Sequence, residues 1–303
     1  MQDPSKSIVS LGAVLWDVFG AEERIGGAPF NFSVHAQRMG HEVHFISAVG
    51  RDERGARALE QARGFGLTDR LIDRTDLAPT GWVTVFIDAS GQPDYTIHRP
   101  AAYDYPKLEA TDLDALRERR PAWIYFGTLE QLSPQVQGVL RQLQAALPNA
   151  KRLYDVNLRK ASYHAPLVRE LMGQSTAVKL NEDEVVTLLR EFGEPVVGIE
   201  SFCRDYSRRF GWEAVLVTRG AAGSSIFLNG EFREAPGYSV EVADTVGAGD
   251  ATAAALIHGI ESNWDAGRIA DFCNRLGALV ASRSGAIPNW TMKELFDLGP
   301  TLP

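Results

Sequence analysis

Apolar residues fall along this chain in two kinds of run. Short continuous blocks have the length of buried strands: Ile8 to Gly12, Val43 to Val49, Trp123 to Phe126, Arg152 to Asp155, Ala177 to Leu180 and Ala214 to Thr218. Longer amphipathic stretches separate the later blocks, and Phe30, Val34 and Met39 recur at helical intervals behind Pro29, a residue suited to a first helical turn. Strand–helix alternation of this kind predicts an α/β fold with a mostly parallel central sheet and helices on both faces. Ligands then belong at the C-terminal ends of the strands.

Two pieces break that rhythm. Ala13 to Phe19, and Gly81 to Ile87 with Tyr95 to His98, are β-like and joined by turns such as Ser90-Gly91. They predict a small second sheet projecting from the core as a lid, over about residues 13–27 and 81–100. With no repeat, low-complexity tract or Pro/Gly/Ser-rich linker, a single domain over residues 1–303 is expected.

Charge and composition narrow the partners. The net charge of −8 over 303 residues argues against nucleic acid, whose recognition shows as a basic excess. No segment is apolar enough to span a membrane, and Met1 to Lys6 lacks the apolar run of a signal peptide. The two cysteines, Cys203 and Cys273, make no disulfide framework and lack metal-ligand spacing, which fits a reduced cytoplasmic setting.

The most informative segment is Asp244-Thr245-Val246-Gly247-Ala248-Gly249-Asp250, followed by the strong helix former Ala251 to Leu256. A glycine loop running into a helix N-terminus aims backbone amides at one spot, and the helix dipole adds partial positive charge. A carboxylate there would repel a merely bound anion. It makes sense if the anion is being transferred and Asp250 takes the proton of the attacking hydroxyl. The bland alternative is that Asp250 is a helix N-cap.

The seven-residue string resembles the C-terminal signature of the ribokinase-like, or PfkB-type, carbohydrate kinases. The resemblance implies Asp250 as catalytic base and the amides of Gly247, Ala248 and Gly249 as an anion hole. Further stretches match the same family in order, over about residues 8 to 288. Gly26-Gly27-Ala28-Pro29-Phe30-Asn31 resembles the di-glycine sugar motif, which implies that Gly26, Gly27 and Asn31 contact sugar hydroxyls. Asp17 stands where family members bind two sugar hydroxyls. Lys179-Leu180-Asn181-Glu182-Asp183-Glu184 resembles the Asn-x-x-Glu motif that organises magnesium and its waters, implicating Asn181 and Glu184; the same spacing is also a helix-capping pattern. Thr218, Gly220 and Gly223 fit the nucleotide turn, and Asn274 a position beside the adenine. The family implies ATP and Mg2+, and a monovalent cation such as K+ near Asp244.

Asp155-Val156-Asn157-Leu158-Arg159 resembles the Asp-Pro-Asn-Leu-Arg string of fructokinase-like members, so fructose is the expected sugar and Arg159 a substrate contact. Two departures keep 2-keto-3-deoxygluconate or ribose in view. Ala13 stands where such relatives carry glutamate, and Val156 replaces a proline, which would loosen the turn. Apolar lid residues (Trp16, Phe19, Trp82, Val83, Phe86) point to a homodimer through the small sheets. A non-catalytic sugar-binding regulator is the rival reading, opposed by the intact Asp250 loop. A nicotinamide dehydrogenase fails because Gly12-Ala13-Val14-Leu15-Trp16 is not a Gly-x-Gly-x-x-Gly turn.

Overall fold

The computed structural model describes residues 7–87, 93–160 and 162–298, so the expected Ser90-Gly91 turn lies outside the described residues. The chain forms two compact units. The first runs to Ile124 and includes Glu130–Ala150; the second takes Tyr125–Leu129 and the chain from Lys151 onward.

In the first unit, β1 (Ser7–Leu11), β4 (Glu42–Gly50) and β5 (Ile72–Thr75) lie side by side in that order, all parallel. A separate sheet, in the order β3-β2-β6-β7, is made of β2 (Leu15–Phe19), β3 (Glu22–Gly26), β6 (Gly81–Ile87) and β7 (Pro93–Ile97). Helices α1 (Ala28–Arg38), α2 (Glu53–Gly64), α3 (Ala110–Arg119) and α4 (Pro134–Ala146) complete the unit.

The small sheet uses its two faces differently, as the two-residue period of a strand requires. Leu15, Val83 and Val85 join Ala13, Ala101 and Tyr103 in one buried cluster. On the opposite face Trp16 and Trp82 meet α2. The Trp16 Nε1–H donates to the Arg54 carbonyl at 3.1 Å, and the Arg57 guanidinium lies 4.3 Å over the Trp16 ring. Arg54 and Arg57 both pair with Glu23 on β3. Trp16 and Val83, expected from sequence to offer an exposed dimer surface, are therefore internal, at 2% and 5% exposure, because each strand face already has a partner. Phe86 is the member of that set left largely exposed, at 59%.

In the second unit β9 (Lys151–Asp155), β10 (Ala177–Asn181) and β11 (Ala214–Thr218) run parallel. The edge is antiparallel: β12 (Ser224–Leu228) pairs with β11, and β13 (Glu231–Ala235) with β12. The hairpin turn carries its signal in sequence, Asn229-Gly230, with both residues at positive φ (49° and 94°). The remaining strand, β8 (Trp123–Gly127), contributes residues to both units. Helices α5 (Ala165–Gly173), α6 (Glu182–Glu191), α7 (Ile199–Phe210), α8 (Ala248–Glu261), α9 (Ala266–Ala281) and α10 (Met292–Phe296) follow. The fold class is the expected one, a mostly parallel central sheet with helices and a small separate sheet. Among the described residues no helix is long and apolar enough to cross a membrane.

Leu15 is 5% exposed in the small-sheet cluster. Truncating Leu15→Ala should therefore lower the unfolding free energy by about 3 kcal/mol, the usual cost of such a cavity. Phe86→Ser should stay within about 0.5 kcal/mol of the parent protein, as surface changes do. Urea unfolding of both variants checks the assignment, and equal losses would contradict it.

Candidate active site

Two groups of the expected residues are assembled, one within each unit. In the first unit Gly26 ends β3, and Gly27 caps α1 at φ 108° with Pro29 in the first turn. A β-carbon on Gly27 would lie 2.5 Å from the Ala13 carbonyl oxygen, so only glycine lets this turn pack on the chain leaving β1. One on Gly26 would lie 2.7 Å from Asp17 Oδ2, which puts the Asp17 carboxylate directly against the turn. Asn31 is buried on α1 at 4% exposure, its N–H donating to the Gly27 carbonyl at 2.8 Å.

Sequence reasoning passed over Glu130. This side chain accepts the Ala13 N–H at 3.1 Å, and a β-carbon on Gly12 would sit 3.1 Å from its carboxyl carbon. A carboxyl group thus stands against position 13, in the loop between β1 and β2, where the family resemblance led one to expect a glutamate. Burial pushes its pKa up to about 6, against the pull of backbone N–H groups and Arg99. Tyr103 was also missed. Its buried hydroxyl has no hydrogen-bond partner among the described residues, and burial pushes its pKa up.

The second unit holds the other group. Helix α8 starts at Ala248, and its N-cap is Gly247 at φ 81° with no side-chain cap. A β-carbon on Gly247 would lie 2.3 Å from the Ala286 carbonyl oxygen, so the turn is wedged against the chain that follows α9. Asp244 ties the same loop, its two carboxylate oxygens accepting the N–H groups of Val246 (3.0 Å) and Gly285 (3.1 Å). Asp250 sits in the first helical turn and not at the N-cap, 8% exposed. First-turn N–H groups have no acceptor one turn back, so Gly249 stands where amides are available to an anion.

Asn181 ends β10 beside Thr218 at the end of β11, its register partner. Asn181 and Glu184 form a reciprocal capping box. Asn181 Oδ1 accepts the Glu184 N–H at 2.8 Å, and Glu184 Oε2 accepts the Asn181 N–H at 2.8 Å. Glu184 Oε1 accepts the Leu158 N–H at 2.7 Å, which ties the segment after β9 to α6. Burial holds the Glu184 carboxyl above its usual range despite the Lys179 charge. Each carboxylate oxygen keeps a second lone pair, so the pair fits magnesium held through its waters better than a bare ion. Among the described residues no group of three or more His, Cys, Asp or Glu could hold a metal directly.

The nucleotide turn is similarly constrained. Gly220 (φ 56°) opens a single 3-10 turn and Gly223 (φ 94°) caps its C-terminal end, and a β-carbon on Gly223 would lie 2.1 Å from the Ala235 carbonyl oxygen. Asn274 Nδ2 donates to the Ala235 and Pro236 carbonyls at 3.0 Å each, so its amide holds the strap behind this turn. Arg159 is exposed and makes no ion pair among the described residues. Val156 is fully buried and not loosened: its N–H donates to the Lys179 carbonyl at 2.9 Å, a bond proline could not make. Beneath lies a polar cluster built on the residues that open two of the motifs, Lys179 and Asp155, and joined by Tyr125. Lys179 Nζ donates to Asp155 Oδ1 at 3.1 Å, and the Tyr125 hydroxyl donates to Asp155 Oδ2 at 3.1 Å.

A family model described as the pfkB family carbohydrate kinase matches residues 6–292. The chain belongs to the pfkB family of carbohydrate kinases. Fructokinase-1 of Oryza sativa subsp. japonica is 28% identical over 283 residues, covering 87% of this chain and 84% of the relative. A sugar kinase of Pyrococcus horikoshii in complex with ATP, with no sugar specified, is 26% identical at a TM-score of 0.77, covering 92% of this chain and 94% of its own. A cysteine double mutant of the Vibrio cholerae fructokinase, with fructose, ADP and a potassium ion bound, shares the fold at a TM-score of 0.79 and 21% identity, covering 98% and 99% of the two chains.

The Glu130 carboxyl has a pH consequence. Its folded pKa of about 6 is raised by burial above the ordinary 4.5. Protonated Glu130 therefore favours the folded state fully below about 4.5, and that contribution is lost as pH rises through about 6. Glu130→Gln should flatten the melting temperature between these limits, measured by thermal unfolding at half-unit pH steps. An unaltered profile would mean that another group carries it.

Proposed function

We propose that the chain transfers the γ-phosphoryl group of ATP to a hydroxyl of a monosaccharide, with fructose as the sugar and Asp250 as the base. The observation that carries this is the placement of the Asp250 carboxylate inside the first turn of α8, on a loop that Gly247 and Asp244 hold in one shape. Asp250 accepts the proton of the attacking hydroxyl, while the Gly247–Asp250 amides face the charge that spreads over the transferring group. Thr218, Gly220, Gly223 and Asn274 hold the nucleotide. Asp17, Gly26, Gly27 and Asn31 hold the sugar, with the small sheet as its lid. Magnesium, held through water by Glu184 and Asn181, neutralises phosphate charge when bound. A monovalent cation belongs beside the Asp244 loop.

A sugar acid such as 2-keto-3-deoxygluconate is the second reading. The observation favouring it is the exposed Arg159, which makes no ion pair among the described residues, a planar cation suited to a carboxylate. At 28% identity a relative's name does not transfer a substrate.

Asp250→Ala should lower kcat by at least about a thousandfold, since a positioned base contributes that much. Calorimetric binding of ATP and sugar should survive, and near-wild-type turnover would remove Asp250 as the base. Asp17→Ala should raise the sugar KM by about tenfold or more with the ATP KM unmoved, the loss of a charged hydrogen bond. An unchanged sugar KM would contradict its role.

A further inference from the structure

Lys179 is the buried lysine among the described residues, at 6% exposure, and it lies inside the strand β10. A buried ion pair is weak as a source of stability, because apolar side chains of similar volume often serve as well. Its persistence here asks what the cation faces. Asp155 anchors one side, at 3.1 and 3.4 Å, with Tyr125 fixing the same carboxylate. The opposite side is the phosphoryl-transfer turn: a β-carbon on Gly249 would meet Lys179 Nζ at 3.0 Å. Glycine at that position lets the turn settle against the ammonium. The main chain of Lys179 adds a further tie, since its carbonyl takes the Val156 N–H.

We propose that Lys179 is a positioning residue for phosphoryl transfer, a buried cation anchored by Asp155 that supports the Gly247–Asp250 turn and adds positive field where charge builds on the transferring group. This rests on the reading of that turn as the reaction centre. The ion pair with Asp155 on one side and the contact at Gly249 on the other fix the ammonium in place. A preorganised charge of this kind needs no rearrangement during reaction, so its effect belongs on kcat and not on substrate affinity.

The competing explanation is that Lys179 only neutralises Asp155. The double variant Lys179→Met with Asp155→Asn separates the two, because it removes both charges together. If Lys179 acts on the turn, the double variant melts near the wild-type temperature and keeps both KM values within about threefold. Its kcat falls by about a hundredfold, the scale of losing one preorganised donor. Wild-type kcat in the folded double variant would overturn the proposal. A second measurement uses the unaltered protein with 15N-labelled lysine. The solvent-protected ammonium signal should shift when ADP, magnesium and aluminium fluoride are added, and a signal that stays in place would also overturn it. Asp250→Asn serves as the control for the underlying reading: turnover retained there sinks Asp250 as the base, whatever the Lys179 result.

Discussion

Three carboxylates in the second unit, Asp155, Glu184 and Asp250, are at most 8% exposed, and one cation, Lys179, stands among them. Carboxylates removed from water are costly unless each finds a donor or a counter-charge. Asp155 takes Lys179 and Tyr125, while Glu184 takes two backbone N–H groups from different segments. Satisfying these groups ties the end of β9, the end of β10 and the start of α6 into one arrangement. The first turn of α8 meets the same cation at Gly249, and Gly247 just ahead of it packs against Ala286. Rigidity at that turn is what a transfer site requires, since its amides must already point at charge that has yet to form.

The sugar side rests on a different constraint. The two faces of the small sheet are committed to different partners. One packs into an apolar cluster, and the other is bound to α2 through Trp16, Trp82 and the Glu23–arginine pairs. Asp17 shares the cluster face of β2 with Leu15, and its carboxylate lies against the di-glycine turn. At position 13, between β1 and β2, the expected carboxylate is absent, yet Glu130 brings a carboxyl group to the same backbone from a distant segment.

Much of this was legible in the sequence, because strand blocks and glycine turns carry their physics locally. The central strands appeared at their places within a residue or two, and the glycines at 27, 223 and 247 each occupy positions where a β-carbon cannot fit. The antiparallel β12–β13 edge was overlooked although Asn229-Gly230 marks its turn. Asp250 lies in the first turn and not at the cap, a difference of register that no local pattern specifies. Least legible were Glu130 and Lys179. Their roles arise from contacts over 117 and 24 residues of chain, and nothing local to either residue signals them.

The claim that everything else serves is sugar-dependent phosphoryl transfer from ATP. Its most direct test is ADP release with ATP and magnesium across fructose, 2-keto-3-deoxygluconate and ribose, with phosphorus NMR of the product. The account predicts ADP formation that requires sugar, fastest with fructose, and a phosphorus resonance coupled to sugar protons. ADP release at the same slow rate with and without every sugar, yielding only inorganic phosphate, would contradict it.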